Sequence, residues 1–413
     1  MFGVSSSASQ IEGATAEEGK GPTIMDILVQ DDRPKDYVTN ENYYLYKQDI
    51  ERLAAMGTRY YSFSISWSRI LPFALPGTPV NRAGLDHYRD VIDTVSAAGM
   101  IPAVTLLHFD TPLQFYGSNL SSAADPPLIG YVNGAYQNET FVDALMNYAK
   151  IVMTHFASCV PYIGGTADFL GIDPYTATVV TPPVMDDIDS ITECASNSSN
   201  VFFPYCVNRT TVNQYGWNIG YRSESYVYIT PTYLQEYLGY LYNTFRTPIV
   251  ITEFGFPVFG EAEKLDLSDQ LFDTPRSIYY LSYLSEVLKA IWEDSVDVKG
   301  AFAWSFADNW EFGDYSAHFG IQTVNRTTQE RRYKKSFFDL VDFMNARMPV
   351  NDTPVLQVSE GKPQAPTTAP AITQISDGQV QAPIAPAVSQ ICDDQVQATS
   401  PAAPVIQILG KGE

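Results

Sequence analysis

The sequence is poor in several features that mark common protein classes. No apolar run approaches the roughly 18 residues that a membrane-spanning helix needs. Only 25 Lys and Arg stand against 47 Asp and Glu, a formal net charge of −22, and so acidic a chain repels nucleic-acid phosphates and anionic membranes. The four histidines are scattered, and no Gly-x-Gly-x-x-Gly or Walker motif occurs. We therefore expect no membrane, nucleic-acid or nucleotide partner and no metal site.

Cysteine is scarce, with four residues and no metal-ligand spacing. Cys194 and Cys206 flank a polar stretch, which makes them candidates for a loop disulfide. The first residues lack a signal-peptide pattern, so the protein is expected to be cytoplasmic if this N-terminus is genuine and secreted if it is not. In the secretory pathway, six Asn-x-Ser/Thr sites would be glycosylation candidates: Asn119, Asn138, Asn197, Asn208, Asn325 and Asn351.

Apolar and aromatic residues are abundant. Hydrophobic residues make up 45% of the chain, with 27 Tyr, 22 Phe and 5 Trp, which is enough for a large core or a cleft that stacks on flat apolar faces. Strand-like runs are predicted at 2–7, 60–66, 101–108, 168–175, 248–255 and 300–306. Helical stretches lie near 41–56, 82–99, 140–157, 231–245, 275–293 and 334–347. This alternation predicts an α/β fold with a parallel sheet, doubly wound or closed as a barrel.

Polar side chains follow the ends of these predicted strands. Gln10, His108, Tyr175, Glu253 and Asp308 all take such positions. In a (β/α)₈ barrel the active site lies at this edge of the sheet. The pattern therefore predicts a site built from the ends of several strands.

The composition changes at about residue 351. Over 351–413 Pro, Ala, Gln, Thr and Ser dominate, and aromatic residues are absent. Two similar segments, 371–382 and 387–398, are spaced by 16 residues, and a degenerate third copy begins near residue 405. So little apolar surface predicts a disordered tail, separate from a folded domain at 1–350.

Six motifs occur in a fixed order along 1–350. They are Gln-Ile-Glu-Gly-Ala from residue 10, Phe-Ser-Ile-Ser-Trp-Ser-Arg-Ile from 63, Leu-His-Phe-Asp from 107, Asp-Phe-Leu-Gly-Ile from 168, Ile-Thr-Glu-Phe-Gly from 251 and Trp-Ser-Phe-Ala-Asp-Asn-Trp-Glu from 304. Over about residues 2–349 the chain resembles glycoside hydrolase family 1, the retaining β-glucosidases. The resemblance implies a TIM (β/α)₈ barrel that hydrolyses β-glucosides or short β-glucans without metal or cofactor.

The resemblance also implies roles for individual residues. A retaining glycosidase needs one carboxylate as nucleophile and a second carboxyl, about 5 Å away, as acid and base. Glu253 matches the nucleophile, and Tyr175 matches a hydroxyl that hydrogen-bonds to it. The positions that match the sugar-binding residues are Gln10, His108, Trp304, Glu311 and Phe312, the last of which stands where the family usually has Trp.

The largest departure from the family is a missing segment. The family's acid/base Glu lies in an Asn-Glu-Pro motif, which occurs nowhere in this chain, and residues 157–161 run directly towards the Asp-Phe-Leu-Gly-Ile motif. Strand-helix units 4 and 5 are therefore expected to be missing, which leaves unpaired edges on the third and sixth strands of the barrel. The chain is then either an impaired enzyme or a glycan-binding or wall-anchored pseudoenzyme. Smaller departures are Ser62, Asp173 and Phe254, where Arg, Asn and Asn are usual.

The tail separately resembles the PIR repeats of fungal cell-wall proteins. That resemblance implies an ester between the first Gln of a repeat and wall β-1,3-glucan, and hence a secreted or wall-bound protein. The matching residues are Gln374 and Gln390, although Asp394 replaces a Gly of the pattern in the second copy.

Overall fold

The computed structural model describes residues 2–27, 37–115, 139–156, 168–182, 191–197, 199–200, 202, 206–313, 315–347 and 406–408. The strands are β1 Phe2–Ser5, β2 Tyr60–Ser64, β3 Ile101–Leu107, β4 Leu170–Ile172, β5 Val179–Thr181, β6 Asn208–Thr210, β7 Ile249–Phe254, β8 Val298–Trp304, β9 Gln322–Val324, β10 Arg331–Tyr333 and β11 Ile406–Ile408. The helices are α1 Ala8–Ile11, α2 Ile24–Ile27, α3 Asn42–Ala55, α4 Trp67–Ile70, α5 Arg82–Ala97, α6 Glu139–Phe156, α7 Ile191–Ser196, α8 Tyr233–Phe245, α9 Leu267–Leu271, α10 Thr274–Trp292 and α11 Lys335–Asn345.

The centre of the fold is a parallel sheet in the order β11-β3-β2-β1-β8-β7-β4. Its last six strands are the six that the sequence predicts, and the six predicted helices are α3, α5, α6, α8, α10 and α11. The first strand pairs with the last strand of the repeating pattern, since Ser5 lies opposite Trp304 across β1 and β8. That pairing brings the two ends of the 2–347 region together, as in a barrel.

The core lies between the sheet and the helices that cover it. Every residue of β7 is buried, and its first three residues are apolar, as expected for a parallel strand that is covered on both faces. Helix α10 packs against it with three fully buried tyrosines, Tyr279, Tyr280 and Tyr283. These rings bury large apolar faces, while their hydroxyls donate to backbone oxygens such as those of Tyr175 and Trp304. The packed core thus also supports the loops at the carboxyl edge of the sheet.

One edge of the sheet departs from the prediction. The third strand was expected to have an unpaired edge, but β11 from the predicted disordered tail pairs with it in parallel, with Ile406 opposite Val104 and Gln407 opposite Thr105. An exposed strand edge offers free N–H and C=O groups to any extended segment, which is the physical reason for such pairing. Among the described residues β4 has β7 as its one neighbour, and β3 does not pair with β4. Over the residues that the structure describes, the barrel is therefore not closed between β3 and β4.

The remaining sequence features fall partly inside the described residues. Cys194 and Cys206 are joined by a disulfide with a Cα–Cα distance of 6.0 Å. Asn197, Asn208 and Asn325 are exposed. The other three sequons, at Asn119, Asn138 and Asn351, lie outside the described residues, as do Gln374 and Gln390. Within the described chain, no helix has the length and apolarity that crossing a membrane requires.

Candidate active site

The carboxyl ends of the strands surround a cavity of about 880 Å³. A volume of this size lies at the upper end of the range for small-ligand sites. All seven residues that the sequence singles out for catalysis or sugar binding line it: Gln10, His108, Tyr175, Glu253, Trp304, Glu311 and Phe312. They come from five different strands or strand-end segments, so the closure of the sheet brings together residues up to 302 positions apart in sequence.

Glu253 lies near the end of β7 and is 9% exposed. Its Oε2 accepts a hydrogen bond of 2.9 Å from the Tyr175 hydroxyl, and its Oε1 lies 3.6 Å from His108 Nδ1. Burial, followed by the nearby charge of Glu253, raises the pKa of Tyr175 well above its usual value. The phenol therefore stays protonated and donates to the carboxylate, which fixes its orientation at the floor of the cavity.

An aromatic and polar wall stands beside Glu253. The His108 ring stacks on the Trp304 indole with 5.5 Å between centroids and 13° between planes. The indole Nε1 donates to Glu311 Oε1 at 3.3 Å. This wall combines a flat apolar face with polar groups at its edge, which suits a ring that carries hydroxyl groups on its rim and C–H groups on its faces.

Gln10 and Phe312 complete the predicted set in different ways. The Gln10 side chain is fully buried: its Oε1 accepts from Ser7 Oγ at 2.5 Å and its Nε2 donates to the Trp310 carbonyl at 3.1 Å. Phe312 has a positive φ of 55° and packs edge to face on Phe109, whose φ is 60°. Two bulky residues in this left-handed region indicate a locally strained rim, as found at many functional sites.

Several cavity residues were not singled out from the sequence as site residues. Glu224, Ser225 and Tyr226 reach the cavity from the segment after β6, and no motif marks that segment. Asp173, noted only as a departure from the family, also lines the cavity and accepts a 2.5 Å hydrogen bond from Thr252 Oγ1. The position of Asp173 directly after β4 is the sequence feature that could have marked it as a site residue.

A second cavity, of about 410 Å³, lies at the opposite ends of the strands. It is lined by the first residues of β1, β2 and β8, namely Phe2, Tyr60 and Val298, together with apolar residues of α10 and α11. None of the seven predicted site residues reaches it. Its lining is mostly apolar, with Arg59, Lys299 and Arg347 as the charged residues.

A buried network of charges supports the loop that carries Glu311. Lys334, which is fully buried, donates to both Glu261 and Asp308, and Arg276 donates to Glu261 and Asp273. Burial by itself would raise the pKa of Glu261, but Arg276 and Lys334 hold it well below its usual range. Together with His318, Glu261 and Asp308 form a carboxylate-histidine trio, yet both carboxylates already bind the Lys334 ammonium. The trio therefore belongs to an ion-pair network.

Lys334→Met should destabilise the fold strongly. The variant keeps the length of the side chain but removes the ammonium from two buried carboxylates, of which Glu261 retains Arg276 and Asp308 loses its charged lysine partner. Breaking a buried pair in this way costs about 3–5 kcal/mol. Urea denaturation at pH 7 measures this loss. The folded state holds the pKa of Glu261 well below its usual range, so the stabilisation by Lys334 is fully present above the ordinary carboxylate pKa of about 4. The difference from wild type should therefore shrink as the pH falls from about 4 towards the lower pKa of the folded state, because the carboxylate of the unfolded chain protonates first.

The neighbouring residue provides a matched control for this prediction. Lys335 is partly exposed and pairs with Asp339 on the surface of α11. Lys335→Met should therefore cost about 0–1 kcal/mol. Equal effects of the two substitutions would show that the buried network does not hold this part of the fold together.

The chain matches one protein family over most of its length. The profile described as Glycosyl hydrolase family 1 matches residues 1–164 and 160–347. The two matched parts meet directly after α6, at the place where the sequence lacks the expected segment. This match confirms the resemblance seen in the motifs.

Curated relatives and solved structures agree with that match. Beta-glucosidase 24 of Oryza sativa subsp. japonica is 26% identical over 467 positions, covering 81% of this chain and 90% of the relative. Beta-glucosidase 1B of Phanerodontia chrysosporium is 25% identical, covering 89% and 88%. A family 1 β-glucosidase from Humicola insolens, solved with glucose, superimposes with a TM-score of 0.67 at 21% identity, covering 84% of this chain and 97% of that one. The TIM-barrel fold class is thereby confirmed.

Proposed function

The chain belongs to glycosyl hydrolase family 1, and from that premise we propose that it hydrolyses β-glucosides with retention, using Glu253 as the nucleophile. As a family member the protein is a glycosidase, and its relatives are β-glucosidases. The observation that carries the proposal is the setting of Glu253. A carboxylate oriented by Tyr175 and flanked by His108 lies at the floor of the one cavity that collects all the predicted sugar-binding residues.

In the first step, a Glu253 oxygen attacks the anomeric carbon. A bond forms between that oxygen and the carbon while the bond to the leaving-group oxygen breaks, and the leaving group takes the electron pair. Tyr175 holds the other oxygen of the carboxylate and so orients the attacking one. In this proposal His108 and Glu311, which line the cavity, hydrogen-bond sugar hydroxyls, and the Trp304 indole faces the apolar side of the ring. In the second step, water replaces Glu253 and loses a proton to the solvent.

We further propose that a proton donor for the leaving group is missing. The Asn-Glu-Pro motif is absent, and the alignment with the rice relative spans 467 positions, more than the 413 residues of this chain, so the relative contains residues that this chain lacks. Other carboxyls do reach the cavity. Each of them already accepts a hydrogen bond from another part of the protein. Asp173 accepts from the Thr252 hydroxyl, Glu224 accepts from the backbone N–H of Gly260 at 2.7 Å, and Glu311 accepts from the Trp304 indole.

The stereochemical course of hydrolysis tests the proposed function. Proton NMR of a reaction with dinitrophenyl β-glucoside should show β-glucose as the first product, followed by slow mutarotation to the α-anomer. Double displacement at Glu253 requires this order. If α-glucose appears first, or if Glu253→Gln hydrolyses the substrate as fast as wild type, the proposed mechanism is wrong.

The alternative is a pseudoenzyme that holds a glycan without cleaving it. The missing Asn-Glu-Pro segment is the observation that favours it. Such a protein would bind glucosides in the cavity and fail to release even dinitrophenolate. The same NMR experiment therefore separates the two functions.

We also propose that the tail tethers a secreted form of the protein to the cell wall. The repeats at 371–382 and 387–398, the disulfide between Cys194 and Cys206, and the exposed sequons at Asn197, Asn208 and Asn325 support this proposal. About 60 Pro- and Ala-rich residues make a spacer long enough to hold a domain away from a polymer. The attachment points would be Gln374 and Gln390.

Sequential extraction of cell walls tests the tether. When the protein is expressed with a signal peptide, hot detergent should leave it in the wall and mild alkali should release it, because esters are cleaved by alkali. Replacing both Gln374 and Gln390 with Ala should shift it to the detergent fraction, whereas replacing Gln379 and Gln395 with Ala should not. Detergent release of the unaltered protein would contradict the tether.

A further inference from the structure

We propose that Tyr215 and Trp217 form a platform that binds the pyranose faces of a β-glucan chain whose end enters the cavity. The proposal rests on the proposed function and extends it from a single glucoside to a polymeric substrate. It concerns the outer of two consecutive hairpins that follow β6.

The two hairpins follow one another in sequence, and the turn of the inner one lines the cavity. In the inner one, Arg222 and Tyr228 form a β-bridge, and its turn presents Glu224, Ser225 and Tyr226 to the cavity. The outer one directly precedes it. Its strands are joined by a β-bridge between Val212 and Asn218. The outer hairpin is therefore the element that directly precedes the cavity-lining hairpin along the chain.

The tip of the outer hairpin is held by its own backbone. Asn213 Oδ1 accepts hydrogen bonds from the N–H groups of Tyr215 at 3.0 Å and Trp217 at 3.1 Å, and the Asn213 N–H donates to the Trp217 carbonyl at 2.8 Å. Gly216 supplies the positive φ of 79° that the turn requires. Upstream, Cys206 is tied to Cys194 by the disulfide. The two rings are thus presented by a defined turn and not by packing against the core.

Both rings point into solvent. Tyr215 is 75% exposed and Trp217 is 73% exposed. Two further rings, Tyr221 at 54% and Tyr226 at 58%, follow along the same segment towards the nucleophile. The Tyr226 ring lies 6.2 Å from the Tyr175 ring, whose hydroxyl binds Glu253. Exposed aromatic side chains therefore line the segment from the catalytic carboxylate to the hairpin tip.

The charge of this surface points to a neutral ligand. From residue 210 to residue 221 there is no charged side chain, although the whole chain carries a net charge of −22. The rings are surrounded in sequence by amides and hydroxyls such as Gln214, Asn218 and Thr211. Flat apolar rings beside neutral hydrogen-bonding groups match a β-glucan, which has C–H faces and hydroxyl edges and no charge. Two rings are too small a patch for a stable protein interface.

Affinity electrophoresis tests the platform. In native gels that contain laminarin, a soluble β-1,3-glucan, the wild-type protein should be retarded. The double variant Tyr215→Ala/Trp217→Ala should bind about 5- to 150-fold more weakly, the loss expected when two stacking interactions are removed. Trp292→Ala is the matched control, since Trp292 is 80% exposed at the end of α10, before β8 begins, and so lies at the opposite pole from the cavity.

Several outcomes would overturn the proposal. These are equal retardation of the double variant and the wild type, equal loss in the Trp292→Ala variant, and equal retardation of the wild type by pullulan, an α-glucan. A mobility that depends on protein concentration in gels without glucan would assign the surface to self-association instead. Because retardation requires no turnover, the result is independent of whether Glu253 is the nucleophile.

Discussion

Dinitrophenyl β-glucoside should be hydrolysed by the 413-residue protein, whereas cellobiose and alkyl β-glucosides should be cleaved at least about 10²–10⁴-fold more slowly than a complete family member cleaves them. Dinitrophenolate leaves without a proton, so its departure does not need the missing carboxyl. The alkoxide of a sugar or an alcohol is a poor leaving group and does need a donor. The measurement is the steady-state rate for a series of aryl glucosides whose leaving groups differ in pKa. A plot of the logarithm of kcat/KM against that pKa should have a steep negative slope.

The same substrates also provide a control and a result that would contradict the prediction. Azide, which attacks without giving up a proton, should accelerate the second step with the dinitrophenyl substrate, because the proposed loss of the acid/base carboxyl leaves water without a general base. Full activity on cellobiose would show that another carboxyl serves as the acid. Loss of cellobiose hydrolysis in the Asp173→Asn or the Glu224→Gln variant would then identify that carboxyl among the cavity residues.

Glu253→Gln should abolish hydrolysis of every substrate, including dinitrophenyl β-glucoside, with a loss on the order of 10⁴–10⁶-fold. Removal of a covalent nucleophile has effects of this size, because the remaining groups act only through it. The amide keeps the shape of the side chain and still accepts from Tyr175. The expected loss of activity therefore comes from removal of the nucleophile and not from unfolding. The thermal unfolding temperature of the variant should match that of the wild type.

A surface carboxyl provides the matched control for this substitution. Glu263 is exposed in the segment after β7, and Glu263→Gln should retain full activity on dinitrophenyl β-glucoside. Residual activity of Glu253→Gln within tenfold of the wild type would remove Glu253 from the mechanism. An equal loss in both variants would point to a general charge effect in this acidic chain.

Local pattern predicted the strands and four of the seven cavity residues, namely Gln10, His108, Tyr175 and Glu253. The resemblance to the family implied the other three, Trp304, Glu311 and Phe312. An apolar run of five to seven residues marks a strand, and the polar residue at its end marks the carboxyl edge of a parallel sheet, where Glu253 and His108 lie. Since the edge of the sheet is common to all strands, residues far apart in sequence could be assigned to one site. The helices followed from their amphipathic periodicity in the same way.

The remaining features depend on contacts that no local pattern contains. Tyr226 reaches the cavity only because the hairpin of Arg222 and Tyr228 folds over the strand ends. Lys334 lies at the start of a predicted helical stretch, where nothing local marks it as buried. Its burial depends on Glu261 and Asp308, which come from two other loops and accept its hydrogen bonds. Strand β11 lies in a tail that has no aromatic residues and no strand-helix alternation, and it pairs with the edge of β3 that no other described strand occupies on that side.

The most direct test of the whole account is covalent labelling with a 2-deoxy-2-fluoro-β-glucoside that carries dinitrophenolate. The fluorine slows both steps and the good leaving group restores the first, so the glucosyl-enzyme should accumulate, and intact mass should increase by one 2-deoxy-2-fluoroglucosyl unit per chain. Peptide mapping should place the label on Glu253, and the adduct should turn over faster in azide than in water. A label on any other residue, or steady hydrolysis with no adduct at Glu253, would contradict the account.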